Sequence, residues 1–503
     1  MRALFFISFF ISSYCFSQNE EIILPVEGKL LFSGQSIMIP VSNKEQEDFS
    51  IIKINENHIE VFQFDENEKY INKITSEIPK RIISFLTAIK LENSIHLFFS
   101  SFEGIGYLDI DFKTNTINTK IIKRENDFNE KVIGYYGENS KFYLVTINEK
   151  SLIRVLVFSE DEAYKTIDFK GHVKQLNDSQ LYQKLLKSKE AISIIKDNEQ
   201  ASVTLSYKTK KIYVSENDII ITIDNKATMS EASTLIVSLN LKTKSIDIYD
   251  IPSPKLKSSE QSKNKIITHS YIKDDFLFQF STNKVATGFQ IVNFKNDELI
   301  KTFEFSNSSL KMFDAPLANN IPEFGYKNPE KISNTSRFYK NLYSKKAGIV
   351  VFENNDNYVI RISSLDIPAR NKRMHLEDPE NMVEAFTPFN TTTSYVGGVL
   401  YFGINYYSGT ITIPPNYGTT NSIYQNEKIT TENSITLAVD KIDFSVVLDK
   451  NHSSIYQKTR KFEQGIRDTK VRLVKPSLFK IKNEYYFSYF SIKNRSFLIS
   501  KIK

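Results

Sequence analysis

"IKDDFLFQFST" (272–282), followed by "GFQIVNFK" (288–295) and "LIKTFEFS" (299–306), decides how this chain is read. Ile, Phe and Val alternate with polar residues through each piece. That period of two, rich in β-branched and aromatic residues, is the pattern of a half-buried strand. The breaks fall at Asp274-Asp275 and Asn296-Asp297 rather than at glycine. Asn and Asp tolerate the left-handed backbone of tight turns, so they stand in for glycine there. The stretch therefore reads as strands joined by short polar turns.

The same unit recurs along the chain. It is an apolar residue, one variable position, two polar turn residues, one more residue, then five or six strand residues. Copies are "KLENSIHLFFS" (90–100), "YGENSKFYLVT" (136–146), "VSENDIIITID" (214–224) and "IKNEYYFSYFS" (481–491). Weaker copies are "FSGQSIMIPVS" (32–42), "YSKKAGIVVFE" (343–353) and "SYVGGVLYFGI" (394–404). A second hairpin follows the good copies, as "IGYLDIDFKTNTINTKIIK" follows the one at 90–100.

Four-stranded units at periods of about 40–60 residues are the mark of a β-propeller. A pair of β-sandwiches gives similar strands without the repeated unit. Over about residues 20–503 the chain resembles the β-propeller superfamily in general. WD repeats need Trp-Asp pairs, kelch repeats paired glycines and sialidase-type Asp boxes a Trp, and this chain has no Trp at all. The expectation is an all-β propeller of seven or eight four-stranded blades. The last copy ends one strand short of a blade, and "NEEIILPVEGKLLF" (19–32) offers an early strand to complete it. A strand near 20–26 is expected to pair with the C-terminal "SFLISKIK", which removes a free edge.

Two regions break the rhythm. "DSQLYQKLLKSKE" (178–190) carries Leu181, Tyr182, Leu185 and Leu186 at helical spacing behind Asp178, and reads as a short amphipathic helix inserted between blades. Residues 307–335 and 366–390 read as proline-containing connectors, with "IPEFGYKNPEK" and "DIPARNKRMHLEDPE".

The N-terminus, "MRALFFISFFISSYCFSQN", has the parts of a cleavable secretory signal: Arg2, an apolar core from Ala3 to Ile11, then small residues. Residues 1–17 are read as that signal, cut between Ser17 and Gln18, and 18–503 as one domain. Tyr14 before Cys15 disfavours a lipoprotein. No mature stretch is apolar enough to span a bilayer. Cys15 is the sole cysteine, so the mature chain has no disulfide, cysteine nucleophile or thiolate metal site. The C-terminal "EYYFSYFSIKNRSFLISKIK" lacks the glycine and Pro-Asn-Pro turns of type 9 secretion domains, so the expected location is the periplasm rather than the cell surface. Net charge is +6, from 65 basic and 59 acidic residues well interspersed, which is not a nucleic-acid footprint. The most basic run, "KTRKFEQGIRDTKVRLVK" (458–475), reads as a solvated loop and strand edge.

Motifs for chemistry are few. The six histidines (His58, His96, His172, His269, His375, His452) show no metal-ligand spacing. His96 reads as a satisfied strand residue and His375 as part of a solvated connector. No Gly-x-Ser-x-Gly elbow or glycine-rich phosphate loop is present. "DENEKY" (65–70) and "ENNDNY" (353–358) lack the central glycine of a calcium loop and read as turns. Asp109 and Asp111 lie two apart, on one face of a strand. No catalytic residue, metal or cofactor is assigned.

Residues 393–426, "TSYVGGVLYFGINYYSGTITIPPNYGTTNSIYQN", are the strongest functional candidate. Of the 16 glycines, Gly397, Gly398, Gly403, Gly409 and Gly418 fall here, with Tyr395, Tyr401, Tyr406, Tyr407, Tyr417 and Tyr424. The strand "VLYFGI" runs into an excursion at about 405–432 instead of a short turn before "SITLAVD" (434–440). Tyrosine offers large contact area at little entropic cost, with Ser, Gly and Asn adapting around it. Tyr406, Tyr407, Tyr417 and Tyr424, stiffened by Pro414 and Pro415, are the expected protein-contact residues; a self-packed surface hairpin is the plainer reading. Two functions stay open. One is a non-enzymatic envelope scaffold that binds a protein partner, of the kind found in outer-membrane secretion or assembly complexes. The other is a secreted propeller enzyme or ligand binder acting on a glycan or peptide through a central funnel.

Overall fold

The structure is a computed structural model. Its described residues lie between Glu21 and Ile502 with breaks; the longest stretches outside them are 1–20, 26–36, 257–265, 306–317, 321–329, 367–394, 401–430 and 448–457. Among the described residues, seven sheets of four or more strands follow one another along the chain, beside one two-stranded hairpin. In four of the seven, every strand pairs antiparallel with its sequence neighbours, whereas the other three take in a parallel edge strand or a strand from elsewhere in the chain. Sheet 1 holds Ile37–Ser42, Phe49–Ile54, His58–Phe64 and Tyr70–Glu77; sheet 2 holds Ile82–Lys90, Ser94–Ser101, Gly104–Asp111 and Thr116–Ile122. Sheet 3 holds Glu130–Glu138, Lys141–Asn148, Ile153–Phe158 and Lys165–Asp168. Sheet 4 holds Lys210–Val214, Asp218–Asp224, Ser233–Asn240 and Ile246–Pro252, with an extra strand, Ser193–Lys196, on its first edge. Sheet 5 holds Ile267–Lys273, Phe276–Thr282, Thr287–Asn293 and Glu298–Phe305.

Sheet 6 holds Lys346–Asn354, Asn357–Asp366, Thr431–Asp440 and the short Val446–Val447. Sheet 7 holds Leu473–Ile481, Glu484–Ser491 and Ser496–Ile502, and its fourth strand comes from the other end of the chain. Glu21–Pro25 pairs antiparallel with Ser496–Ile502, Glu21 opposite Ser500 and Pro25 opposite Ser496. The good repeat copies are the hairpins joining first to second strands. The weaker copies fall elsewhere: Ile37–Ser42 and Lys346–Asn354 are first strands, and Tyr395–Val396 pairs only with Val399–Leu400 among the described residues.

The strands are more deeply buried than their alternation suggests. Phe49–Ile54 is buried at every position, and all but the first residue of Ser94–Ser101 is buried. Among the described residues, fourth strands such as Tyr70–Glu77 and Ile246–Pro252 keep an exposed face. Sheets 2 to 5 each pack between two neighbours, so adjacent residues serve different sheets. Phe85 belongs to the apolar cluster shared with sheet 1, and Leu86 to the one shared with sheet 3. Phe98 of sheet 2 stacks on Phe142 of sheet 3 with ring centroids 4.2 Å apart. Further clusters join sheets 3 and 4, then sheets 4, 5 and 6. The first strand of sheet 1 packs against those of both sheet 2 and sheet 7.

The two ends of the sheets are unlike. Where first strands begin lie the connections 169–209, 253–266, 306–345, 367–430 and 448–472. At the opposite end the longest connections are 43–48 and 159–164. Among the described residues, the turns of this tight end hold eight non-glycine residues at positive φ, between 50 and 64°: Glu68, Asn115, Ser140, Lys244, Asp274, Asp297, Asn355 and Phe444. Asn and Asp supply half of these positions, and Glu, Ser, Lys and Phe the rest. What holds the third-to-fourth-strand turns is an Asp or Asn side chain at their start, which accepts amides two to four residues on. Asp65 takes Asn67 N and Lys69 N, Asp111 takes Lys113 N and Thr114 N, and Asn240 takes Lys242 N and Thr243 N. Asn293 and Asp440 begin equivalent turns. "DENEKY" and "ENNDNY" are turns as expected.

The helix expected over 178–190 is shorter among the described residues. Asp178 closes a helix, Val173–Asp178, and Gln180 at φ 56° separates it from a second, Leu181–Leu186. A left-handed residue cannot continue a right-handed helix, so Asp178 does not start one. Leu181 and Leu185 face the cluster of sheets 3 and 4, with Tyr182 and Leu186 packed beside them.

Candidate functional site

Tyr406, Tyr407, Pro414, Pro415, Tyr417 and Tyr424 lie outside the described residues, but their attachment points are well defined. Asn357–Asp366 and Thr431–Asp440 pair along their whole length, from Asn357 opposite Asp440 to Asp366 opposite Thr431. Residues 367–430 therefore leave and re-enter the sheet at facing positions, and the pairing of sheet 6 does not depend on them. A second connector converges on the same corner. Ala318–Asn320 pairs with Ser434, Asn433 and Glu432 on the outer side of Thr431–Asp440, and Glu330–Lys331 pairs onto Ala318–Asn320. The connector before sheet 6 thus pairs onto the strand at which the tyrosine-rich stretch re-enters the sheet.

Elsewhere several polar side chains are buried and paired with one another. Between sheets 4 and 5, the Asp224 carboxylate accepts from Lys211 Nζ (2.7 Å), Thr234 Oγ1 (2.8 Å), Ser270 Oγ (2.6 Å) and Ser270 N (3.1 Å). Gln279 Nε2 donates to Thr234 Oγ1 at 2.7 Å, and Gln290 Nε2 to Gln279 Oε1 at 2.8 Å. The Lys211 and Asp224 side chains are fully buried. Such a network can hold two sheets in register, and it offers a substrate no approach.

Charged rows cross other sheets. Glu130 ion-pairs with Arg154 and accepts from Thr146 Oγ1 at 3.0 Å, and Arg154 Nε reaches Asp168 at 2.6 Å. Lys53 and Lys73 flank Glu60 in sheet 1, and Lys273 and Lys441 flank Glu353 in sheet 6. Burial opposes ionisation of Glu60, but Lys53 and Lys73 outweigh it and hold the carboxyl below its usual value. Burial likewise works against Asp168, where Arg154 prevails, while at Glu353 the bonds from Lys441 and Lys273 are the leading influence. All three groups are depressed on folding. Their stabilisation is complete above the ordinary carboxylate values, 4.5 for Glu60 and 3.8 for Asp168, and is lost as pH falls through the lowered ones. The melting temperature should be flat from about pH 7 to about pH 5 and fall below that. Glu60→Gln should start lower and fall less steeply; an acid limb identical to wild type would refute the assignment.

His96 sits in its strand as expected, 3.4 Å from Asp109 and tilted against Tyr107 with ring centroids 4.2 Å apart. Asp109 serves this contact and Lys120, whereas Asp111 serves its turn. His375 and His452 lie outside the described residues. Among the described residues no group of three or more His, Cys, Asp or Glu is placed to hold a metal. No helix among them is long and apolar enough to cross a membrane.

Sequence reasoning missed two regularities. The good repeat copies close on small polar residues, and Ser100, Thr146, Thr222, Asp224, Ser281, Thr282 and Ser491 are all buried. The turn motif of "DFKTN", "NLKTK" and "NFKND" also recurs, with its Asp or Asn four residues before the left-handed position.

No protein-family profile matches the chain, and no curated protein matches it. Solved structures show only weak likeness. A Synechocystis apocarotenoid oxygenase mutant is 7% identical over 54% of this chain and 61% of its own, with a TM-score of 0.28. An uncharacterized protein of Listeria monocytogenes is 10% identical over 68% of this chain and 82% of its own, with a TM-score of 0.28. Kluyveromyces lactis Hsv2 is 10% identical over 66% and 94%, with a TM-score of 0.24. The chain spans less than two thirds of the oxygenase's length, and none of these likenesses carries a function across.

Proposed function

We propose that this chain is an exported, non-enzymatic seven-bladed propeller of the periplasm. In this reading it binds a protein partner of the cell envelope, such as a subunit of an outer-membrane secretion or assembly complex. The ring reading is supported by the order of the seven sheets and by the pairing of Glu21–Pro25 with Ser496–Ile502. It is supported also by Tyr486 of sheet 7, whose hydroxyl donates to Glu68 of sheet 1 at 2.5 Å. Export rests on residues 1–17 of the sequence.

One observation carries the binding reading: residues 367–430 are inserted between two strands whose pairing is complete without them. An insertion that the sheet does not need is free to serve contact, and its tyrosines suit that use. Tyr406, Tyr407 and Tyr417 are the expected anchors, with Tyr424, Pro414 and Pro415 around them. Residues 406–424 replaced by an Asn-Gly turn should leave circular dichroism and the melting transition nearly unchanged. Wild-type protein should recover a stoichiometric membrane partner from solubilised envelopes, and the excised variant should not. Unfolding on excision would make these tyrosines core. A glycan or peptide that raises the melting temperature, with no partner recovered, would favour the secreted enzyme or ligand binder.

A further inference from the structure

We infer that Ser193–Lys196 and Val203–Tyr207 form a strap that bridges the first strands of sheets 3 to 6 and occupies the axis of the ring on that side. This rests on the ring reading above, in which first strands face the axis. Sheet 4 is the one sheet among those described with a further strand on its first edge. Ser193–Lys196 pairs there in parallel with Lys210–Val214, Ser193 opposite Lys211 and Lys196 opposite Val214. The strap also meets sheet 3, where a Cβ on Gly134 would lie 3.3 Å from Ile194 Cδ1.

The other end of the strap rests on sheet 6. The short helix Val203–Ser206 packs against Lys346–Asn354. A Cβ on Gly348 would stand 2.7 Å from Ser206 Oγ, 2.9 Å from Tyr207 N and 3.0 Å from Tyr207 Cα. Two of those atoms are backbone and cannot swing aside, so only glycine permits the approach. Tyr207 is buried, with Lys208 and Lys346 ammonium groups 4.5 and 5.6 Å from its ring centroid. Ile195 and Tyr207 share one apolar cluster with Tyr213, Tyr271 and Ile349, from the first strands of sheets 4, 5 and 6. A stretch bound to the first strands of sheets 3, 4 and 6 occupies the space between them. On the side of sheets 3 to 6 the axis is then taken up by the chain itself, which disfavours a ligand there.

Hydrogen exchange on the full chain tests this. In wild type, amides of 193–196 and 203–207 should exchange as slowly as those of Lys210–Val214. Gly348→Ala should speed exchange at 193–196, at 203–207 and at 346–351 by about tenfold or more, with 82–122 kept at wild-type protection. Fast exchange of 193–196 and 203–207 in wild type, or no change there in Gly348→Ala, would overturn the strap. If Gly348→Ala does not fold, the wild-type pattern together with Tyr207→Ala decides by the same criterion. Ring closure is read separately by removing residues 495–503. A protected strap in a chain indifferent to that deletion would refute the ring and leave the strap contacts standing.

Discussion

Deleting residues 495–503 should abolish cooperative folding of the whole domain rather than fray one end. The deletion removes Ser496–Ile502, which pairs with Glu484–Ser491 on one side and Glu21–Pro25 on the other. Leu498, Ile499 and Ile502 are buried, and their loss alone costs on the order of 5–9 kcal/mol at about 1.5–3 kcal/mol per side chain. That is comparable to the entire stability of a typical domain, about 5–15 kcal/mol. Glu21–Pro25 would be left without the strand it pairs with, and two sheet edges would be open. A truncated protein with an unchanged melting transition would sink the closed ring. Selective melting of sheet 7, with sheets 1 to 6 keeping their exchange protection, would sink it equally.

Asp224→Ala should destabilise the protein by about 3–5 kcal/mol, because it strands the Lys211 ammonium in a dry interior. Thr234 Oγ1, Ser270 Oγ and Ser270 N lose their acceptor at the same time. Lys211→Met combined with Asp224→Leu should recover much of the loss, since apolar replacement of a buried ion pair is often neutral. Urea unfolding of the three proteins measures both quantities. A single-variant effect under about 1 kcal/mol would mean that water reaches the pair.

Much of the architecture was legible because its signal is local. The hairpins at 90–100, 136–146, 214–224, 272–282 and 481–491 each contain their own strand, turn and strand. The partner of Glu21–Pro25 was legible for another reason: a repeat one strand short calls for one more. The depth of burial was not. Ser100, Thr146 and Ser281 look like the solvent side of an alternating strand, and only the next sheet along makes that side interior. The split at Gln180 was hidden because nothing in "NDSQLYQ" marks the glutamine as the left-handed residue. The candidate site was legible as composition, the clustering of glycine and tyrosine. Its attachment was not, because Asp366 and Thr431 are brought face to face by pairing across a long stretch of sequence.

The contrast between the tight end of the sheets and the end carrying long connections has an evolutionary consequence. Lengthening a flexible connection costs little, about 0.6 kcal/mol for each doubling, whereas adding a residue to a two-residue hairpin shifts the register of both its strands. Insertions can therefore accumulate at one end without disturbing the sheets, while the other end is held to nearly constant length. Related chains should differ in size mainly through their counterparts of 169–209, 306–345 and 367–430. A new specificity could then arise there by exchange of one segment, on a scaffold that scarcely registers the change.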